Sequence, residues 1–159
     1  MTISKEIFTG FPDDSRVWLY QTNRPLTNNE TEIISKSLEE FIQEWAAHGN
    51  KLWGDAAVIN PYFVAIAVND KLTPPSGCSI DASVKKMKEL GELVEVDFFT
   101  RMKIAIDTES GIQQIDFNEL KDREDIDAIK IYDPLMSSLG EIRNNWPTRL
   151  AKSNFKQLV

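Results

Sequence analysis

Hydrophobic residues recur at helical spacing in two parts of the chain. The first part follows Thr27-Asn28-Asn29-Glu30, which has the form of a capping box, and the second follows Pro74-Pro75. The apolar positions are Ile34, Leu38, Phe41, Ile42 and Trp45 in the first part, and Ile80, Val84, Met87, Leu90 and Val94 in the second. Each pattern predicts an amphipathic helix, and Gly49 offers the first helix a left-handed end.

Shorter segments have the composition of β-strands. Residues 16–21 are aromatic and β-branched, and residues 53–59 and 62–68 are two apolar runs joined by Asn60-Pro61. The short spacing between these two runs suits a hairpin. Because the run 62–68 is apolar on both faces, we expect it to lie at the centre of its sheet.

A further strand follows the second helix and completes a known order of elements. Residues 102–107 alternate between apolar and polar, and Glu109-Ser110-Gly111 can turn the chain back into an added strand at 112–115. The order strand, helix, strand, strand, helix, strand is that of the split βαβ arrangement in ferredoxin-like folds. We therefore expect an α+β protein with a βαββαβ core, in which two helices cover an antiparallel sheet.

The C-terminal residues add to this core. Their patterns predict a short helix at 117–122, a brief strand at 129–132, a helix at 138–146 that Pro147 ends or kinks, and a last amphipathic stretch to Leu158. No internal repeat and no linker rich in Gly, Ser or Pro divides the sequence. The prediction is a single domain, residues 1–159.

Acidic residues outnumber basic ones by 25 to 18, which gives a formal net charge of −7. Nucleic acid is a poor partner for such a chain, because phosphate backbones require a basic stripe. No window approaches the roughly 18 consecutive apolar residues of a membrane span, and residues 1–7 lack the uninterrupted apolar run of a signal peptide. We expect a cytoplasmic protein with neither a membrane nor a nucleic-acid partner.

Metal and disulfide chemistry find little support in the composition. One Cys and one His exclude an intrachain disulfide and a Cys/His zinc cluster. The acidic clusters at Asp13-Asp14, 107–109 and 122–127 lack the Gly and the terminal Glu of a calcium loop. We expect no metal and no cofactor.

The single cysteine, Cys78, lies in Ser76-Gly77-Cys78-Ser79-Ile80-Asp81, just where the second helix begins. First-turn N–H groups and the helix dipole favour a thiolate at such a position. Cys78 is therefore a candidate nucleophile or redox thiol, and the alternative is a small apolar residue packed between helix and sheet. Ser79 or Asp81 can cap the helix, and Gly77 can let the backbone approach closely.

His48 is the candidate base for a thiol enzyme. That mechanism requires His48 to meet Cys78, with Asp81 or another carboxylate as the group that orients the imidazole. The alternative is that His48 closes the first helix in Trp45-Ala46-Ala47-His48-Gly49, where an imidazolium suits the negative helix end. The expected layout favours capping, because it puts the end of the first helix and the start of the second at opposite edges.

Arg24 is the candidate anion-binding residue. It lies in the loop that enters the first helix, and if the second helix starts nearby, Arg24 and Ser79 flank one pocket with Gly77 and Cys78. A guanidinium and free first-turn N–H groups would bind a carboxylate or a phosphate there. The alternative is an exposed loop arginine.

Three segments together carry a family resemblance: residues 16–21 with Arg24-Pro25, residues 45–49 and residues 76–81. The chain resembles a family of small uncharacterised bacterial proteins that are sometimes called ABC transporter ATPases, and the resemblance covers nearly its full length. It implies no activity, because none is established for the family. The sequence has no G-x-x-x-x-G-K-[ST] loop to cradle ATP phosphates, so the ATPase label has no support in the residues.

Three functions remain open from the sequence. The first is a module that binds a small anion or another protein, with a pocket between the Arg24 loop and the Cys78 turn. The second is a thiol-dependent enzyme with Cys78 as nucleophile. The third is a structural homodimer, in which the 4 Trp and 8 Phe residues build a shared apolar surface.

Overall fold

Helices and strands are interspersed along the chain, and several strands separate the two long helices. The computed structural model describes residues 7–47 and 49–158. Its elements are β1 (Arg16–Gln21), α1 (Asn28–Glu44), β2 (Ala46–Ala47), β3 (Asn50–Lys51), β4 (Gly54–Asn60), β5 (Phe63–Val68), α2 (Gly77–Val94), β6 (Lys103–Thr108), β7 (Gly111–Asp116), α3 (Phe117–Leu120), β8 (Lys130–Ile131), α4 (Leu139–Asn145) and β9 (Thr148–Arg149). Two short 3₁₀ turns follow, Leu150–Lys152 and Lys156–Leu158.

Most of the strands belong to two antiparallel sheets. The first sheet has the order β1-β5-β4, and the second has the order β7-β6-β8-β9. In the first sheet Arg16 is paired with Val68 and Gln21 with Phe63. Every residue of β5 is buried, which confirms the prediction that this two-faced apolar run is central. The molecule is a mixed α/β structure, as the sequence predicts.

The two long helices cover one face of the first sheet. Helix α1 begins with the predicted capping box: the Glu30 N–H donates to Thr27 Oγ1 at 3.1 Å, and the Thr27 N–H donates to Glu30 Oε1 at 2.9 Å. The core between the helices and the sheet includes Ile34, Leu38, Trp45, Val64, Ile66, Met87 and Leu90. The predicted stripe of α1 faces this core, and so do Met87, Leu90 and Val94 of α2. The other two positions predicted for α2, Ile80 and Val84, are half-buried and lie outside the core.

A second core covers the opposite face of the first sheet. There the Trp146 ring packs edge-on against Phe63, with centroids 4.8 Å apart, and against Tyr132, with centroids 4.9 Å apart. Helix α4 contributes Leu139 and Ile142 to this layer. Because both faces of the sheet are covered, β5 can be apolar throughout without exposing hydrophobic surface.

The position of β6 differs from the ferredoxin-like expectation. That fold requires β6 to extend the first sheet beside β1, whereas β6 pairs with β7 and β8 in the second sheet. The large side chains Ile104 and Ile106 are buried in a third core, and the smaller Ala105 packs in the layer that β6 shares with the first sheet. The predicted hairpin of β6 and β7 is confirmed, but the single four-stranded sheet is not formed.

The end of α1 also differs from the expectation. The helix stops at Glu44, its C-cap Trp45 is extended, and Ala46–Ala47 pair with Asn50–Lys51. Gly49, with a φ of +82°, lies in the turn between these two short strands and not at a helix end. His48 lies outside the described residues. Near the C-terminus, the predicted last amphipathic stretch is replaced by the two 3₁₀ turns.

No helix in the described residues combines the length and the apolar composition that a membrane crossing requires.

Candidate functional site

Helices α1 and α2 run antiparallel, and a hydrogen bond joins them at each end. The Trp45 Nε1–H at the end of α1 donates to the Ser79 carbonyl at the start of α2, at 2.8 Å. Before α1, Arg24 Nη2 donates to the Val94 carbonyl at the end of α2, also at 2.8 Å. The expectation that the end of α1 and the start of α2 lie at opposite edges is therefore wrong.

The same two contacts separate the residues of the predicted anion pocket. Arg24 lies at the C-terminal end of α2, whereas Gly77, Cys78 and Ser79 form its first turn. At 1.5 Å per residue, the ends of this helix are roughly 25 Å apart. The structure does not bring Arg24 together with the Cys78 turn, so one pocket cannot contain both.

Arg24 is instead engaged by a carboxylate. Its guanidinium forms a bidentate ion pair with Glu30, in which Nη1 lies 2.9 Å from Oε1 and Nη2 lies 2.8 Å from Oε2. Two hydrogen bonds lower the pKa of Glu30 to about 2: the larger effect comes from Arg24, and the smaller from the Thr27 N–H. Since Arg24 also holds the Val94 carbonyl, it ties the start of α1 to the end of α2. Its donors are committed to the fold, not free for an anion.

Ser76, not Ser79 or Asp81, is the N-cap of α2. The Ser79 N–H donates to Ser76 Oγ at 3.1 Å, and the Ser76 N–H donates to Ser79 Oγ at 2.7 Å, which is a reciprocal capping box. Ser79 is buried in this arrangement, whereas Asp81 is exposed. A Cβ on Gly77 would meet nothing within 4 Å, so no close backbone approach requires glycine there. The capping box satisfies the N–H of Ser79, one of the first-turn N–H groups that the sequence left available to an anion.

The Cys78 thiol is exposed, so it is not packed between helix and sheet. It lines an open groove of about 390 Å³ together with Glu44, Trp45 and Ala46 from the end of α1. The base predicted for this thiol, His48, lies outside the described residues, and Asp81 does not line the groove.

A larger depression lies at the outer edge of β1, and we call it the edge cleft. Its volume is about 480 Å³. It is lined by residues 19–21 of β1, by residues 98–101 after α2, by Lys103 and Ile104 of β6, and by Phe117, Pro134, Leu135 and Phe155.

The edge cleft occupies the place that a fourth strand would take in the first sheet. The outer edge of β1 is bridged at one end, where Arg16 faces Ser138, and at the other, where Gln21 faces Phe99. Leu19, between these bridges, has a strand neighbour on its β5 side alone within the described chain. Because β6 belongs to the second sheet, the gap beside Leu19 stays open.

The backbone of Leu19 faces this gap. The Val17 N–H donates outward to the Ser137 carbonyl at 2.9 Å, and the Thr22 N–H donates to the Tyr62 carbonyl on the β5 side at 2.8 Å. Successive residues of a strand direct their backbone groups to alternate edges, so Leu19 directs its N–H and C=O outward, as Val17 does. Across residues 7–47 and 49–158 no group forms a hydrogen bond with these two outward groups.

Gln21 contributes a buried acceptor to the lining. Gln21 is 4% exposed, and its Nε2 donates to the Lys103 carbonyl at 2.8 Å. Since a carbonyl can only accept, this bond fixes the orientation of the amide. The remaining oxygen, Oε1, has no hydrogen-bond partner in the described part of the chain. Leaving a buried acceptor unpaired costs about 1 to 3 kcal/mol, so a donor supplied to Oε1 would stabilise the folded chain.

Aromatic rings give the cleft its apolar character. Phe99 is 40% exposed, and its ring meets the Tyr20 ring edge-on, with centroids 5.6 Å apart. Phe117 and Phe155 pack against each other at 5.4 Å. Leu135, at the cleft, is 59% exposed. This surface suits an apolar or aromatic group of a ligand.

The charge of the cleft is opposite to that of the chain. Its described lining contains Arg101 and Lys103 but neither Asp nor Glu. Lys103 is engaged in an ion pair with Asp116 on the neighbouring strand, which lowers the pKa of that carboxyl group. Arg101 forms no ion pair and no hydrogen bond with the residues that the structure describes. Arg101 is therefore a cation available to a bound anion.

The sequence reasoning missed this site, although one signal was present. Residues 98–101, Phe98-Phe99-Thr100-Arg101, place two aromatic residues next to an arginine in a strongly acidic chain, directly after a helix. Gln21 carried no such signal, because nothing in its neighbourhood along the chain marks it as buried and unpaired.

Comparisons with known proteins returned no match: no protein-family model, no curated protein and no solved structure is significantly similar to the chain. Within the described ranges, no three His, Cys, Asp or Glu side chains come together in the manner of a metal site.

Proposed function

We propose that this chain is a binding module for a small organic anion with an apolar body, and that the edge cleft is its binding site. The observation that carries the proposal is the guanidinium of Arg101, which lines the cleft and forms no ion pair and no hydrogen bond with the described residues. A cation without a counter-ion, in a cleft whose described lining has neither Asp nor Glu, favours a bound anion.

The rest of the lining sets the nature of the ligand. The guanidinium of Arg101 favours an anion, and it can hold a carboxylate through two parallel hydrogen bonds. Phe99, Phe117 and Phe155 favour an apolar or aromatic body. A volume of about 480 Å³ falls in the range of small-ligand sites.

Hydrocinnamate, the anion of phenylpropanoic acid, is a suitable probe, and its neutral amide is the matched comparison. Titration calorimetry should give saturable binding of hydrocinnamate and at least about tenfold weaker binding of the amide, because an ionic hydrogen bond contributes roughly 1.5 to 3 kcal/mol. In amide-resolved NMR spectra, the shifts should be confined to the lining of the cleft, whose amides are those of residues 19–21, 98–101 and 103–104 with Phe117, Leu135 and Phe155.

Two substitutions locate the anion contact. Arg101→Gln should weaken hydrocinnamate binding to the level of the neutral amide. Arg149→Gln is the control, because Arg149 is an exposed arginine that does not line the cleft. Equal binding of acid and amide, or equal loss in both variants, would contradict the proposed site.

A thiol-dependent enzyme is the second candidate, and the exposure of Cys78 favours it. An activated thiolate should react with iodoacetamide near neutral pH much faster than free cysteine does. A rate equal to or below that of free cysteine would contradict this candidate. The binding proposal does not depend on the outcome, because Cys78 does not line the edge cleft.

We also propose that β1, α1, β4, β5 and α2 derive from a ferredoxin-like core that has lost its fourth strand to the second sheet. The strand order β1-β5-β4 supports this relationship. Membership in the bacterial family that the sequence resembles, and a cytoplasmic location, are proposals of the same kind. An experimental structure with residues 98–104 paired along all of β1 would contradict this loss of the fourth strand and would also close the edge cleft.

A further inference from the structure

We infer that the edge cleft binds the α-amino carboxylate unit of an aromatic amino acid, either free or as the C-terminal residue of a peptide. This inference rests on the proposed function and adds the chemical class of the ligand. Its basis is three features of the cleft that have no partner among the described residues: the outward backbone groups of Leu19, Oε1 of Gln21 and the guanidinium of Arg101.

The backbone of Leu19 specifies the spacing of donor and acceptor in the ligand. In an antiparallel pair, the N–H and C=O of one residue bond to the C=O and N–H of the residue opposite. A ligand that complements Leu19 therefore carries a donor and an acceptor on either side of one carbon atom. The nitrogen and the carboxylate of an α-amino acid are arranged in this way.

The two bridges on β1 limit the length of the ligand. Arg16 is bridged to Ser138 and Gln21 to Phe99, so one outward-facing residue, Leu19, remains between them in the described structure. An extended peptide cannot add several residues to this edge, as it does in longer β-strand additions. One residue of a ligand can pair here, which favours a single amino acid or a chain end.

Gln21 and Arg101 distinguish the two ends of that residue. Gln21 Oε1 can only accept, so it requires the nitrogen of the ligand, as an ammonium or an amide N–H. Arg101 can only donate, so it requires the carboxylate. The aromatic side chain of the ligand then packs among Phe99, Phe117 and Phe155. With a free amino acid each of these polar groups has a partner, because the ammonium can donate to both the Leu19 carbonyl and Gln21 Oε1, whereas the single N–H of a peptide C-terminus donates to one of them.

Affinities for a series of small probes test the inference. The series is hydrocinnamate, which has no nitrogen, then phenylalanine, then N-acetylphenylalanine, and then N-acetyl-N-methylphenylalanine, which has lost its N–H. At least one of phenylalanine and N-acetylphenylalanine should bind about tenfold or more tightly than hydrocinnamate, because it pairs the buried oxygen. The N-methyl compound should lose this advantage over hydrocinnamate.

The two nitrogen-bearing probes separate the two sources of the ligand. Tighter binding of phenylalanine identifies a free amino acid, and tighter binding of N-acetylphenylalanine identifies a peptide C-terminus. If hydrocinnamate binds as tightly as both, the inference is overturned while the proposed function stands. If no probe binds, both are overturned.

Measurements on the protein complete the test. Gln21→Met removes the acceptor at similar volume and should reduce the affinity for the better amino-acid probe to that for hydrocinnamate. If this variant does not fold, the unmodified protein still gives an answer, since the Leu19 amide proton should move downfield and exchange more slowly when the probe binds. An unchanged Leu19 resonance at saturation would overturn the inference.

Discussion

The indole Nε1–H of Trp45 donates a hydrogen bond to the carbonyl oxygen of Ser79, at 2.8 Å and in a fully buried contact. This bond joins the residue that ends α1 to the first turn of α2. The bond from Arg24 to Val94 does the same at the other end of the pair. The two bonds fix the antiparallel alignment of the helices, and with it the separation of the Arg24 loop from the Cys78 turn.

Replacing Trp45 tests the importance of this contact. Trp45→Phe should lower the free energy of unfolding by about 1 to 3 kcal/mol, because the ring packing is partly kept but the buried hydrogen bond is lost. Chemical denaturation measures the change. Trp53→Phe is the matched control, because Trp53 is 59% exposed. This substitution should change the free energy of unfolding by no more than about 0.5 kcal/mol. Similar costs for the two variants would show that the Trp45 contact contributes little.

The centre of the first sheet should be sensitive to loss of volume. Ile66 is fully buried in β5, so Ile66→Ala should cost about 2 to 5 kcal/mol through lost burial and a residual cavity. Leu93→Ala is the control, because Leu93 of α2 is 63% exposed, and this substitution should change the free energy of unfolding little. Thermal and urea unfolding would both report the difference. A variant at Ile66 as stable as the control would contradict the assignment of β5 as the central strand.

The ion pair of Arg24 and Glu30 should make stability depend on pH in acid. The pKa of Glu30 is about 2 in the folded chain, against an ordinary value of 4.5. A lowered pKa stabilises the folded state above the unfolded value, and this contribution is lost as the pH falls from 4.5 towards 2. Glu30→Gln should therefore destabilise the protein most above this window and progressively less within it.

Urea unfolding of the parent and the Glu30→Gln variant, at several pH values across the window, measures this effect. Glu32→Gln serves as the control, because Glu32 is a neighbouring residue of the same helix that forms no ion pair with any described residue. A difference between the parent and Glu30→Gln that stays constant down to about pH 2 would contradict the lowered pKa.

ATP should not be a substrate. The sequence has no phosphate-binding loop with its lysine, so we expect no magnesium-dependent hydrolysis above background and no saturable binding of ATP. Calorimetry and a phosphate-release assay measure the two properties. Micromolar affinity for ATP would contradict this expectation and would restore the ATPase label of the resembling family.

The sequence by itself determined the elements whose signals are local. The capping box of Thr27 and Glu30 joins residues three positions apart, and the stripes of α1 and α2 repeat every three or four residues. The run of β5, apolar on both faces, predicted the central position of this strand in its sheet. Such signals are readable because the interacting groups are close along the chain.

The tertiary structure decided the arrangement of the sheets, the pairing of the long helices and the position of the cleft. These features depend on contacts between residues that are distant along the chain. Ile104 and Ile106 are buried with Leu120 and Ile131, and this third core takes β6 away from β1. Arg24 reaches Val94 across 70 residues, and Gln21 reaches Lys103 across 82. No pattern along the sequence marks these partners. The edge cleft exists because those long-range contacts leave Leu19, Gln21 and Arg101 beside an open strand edge.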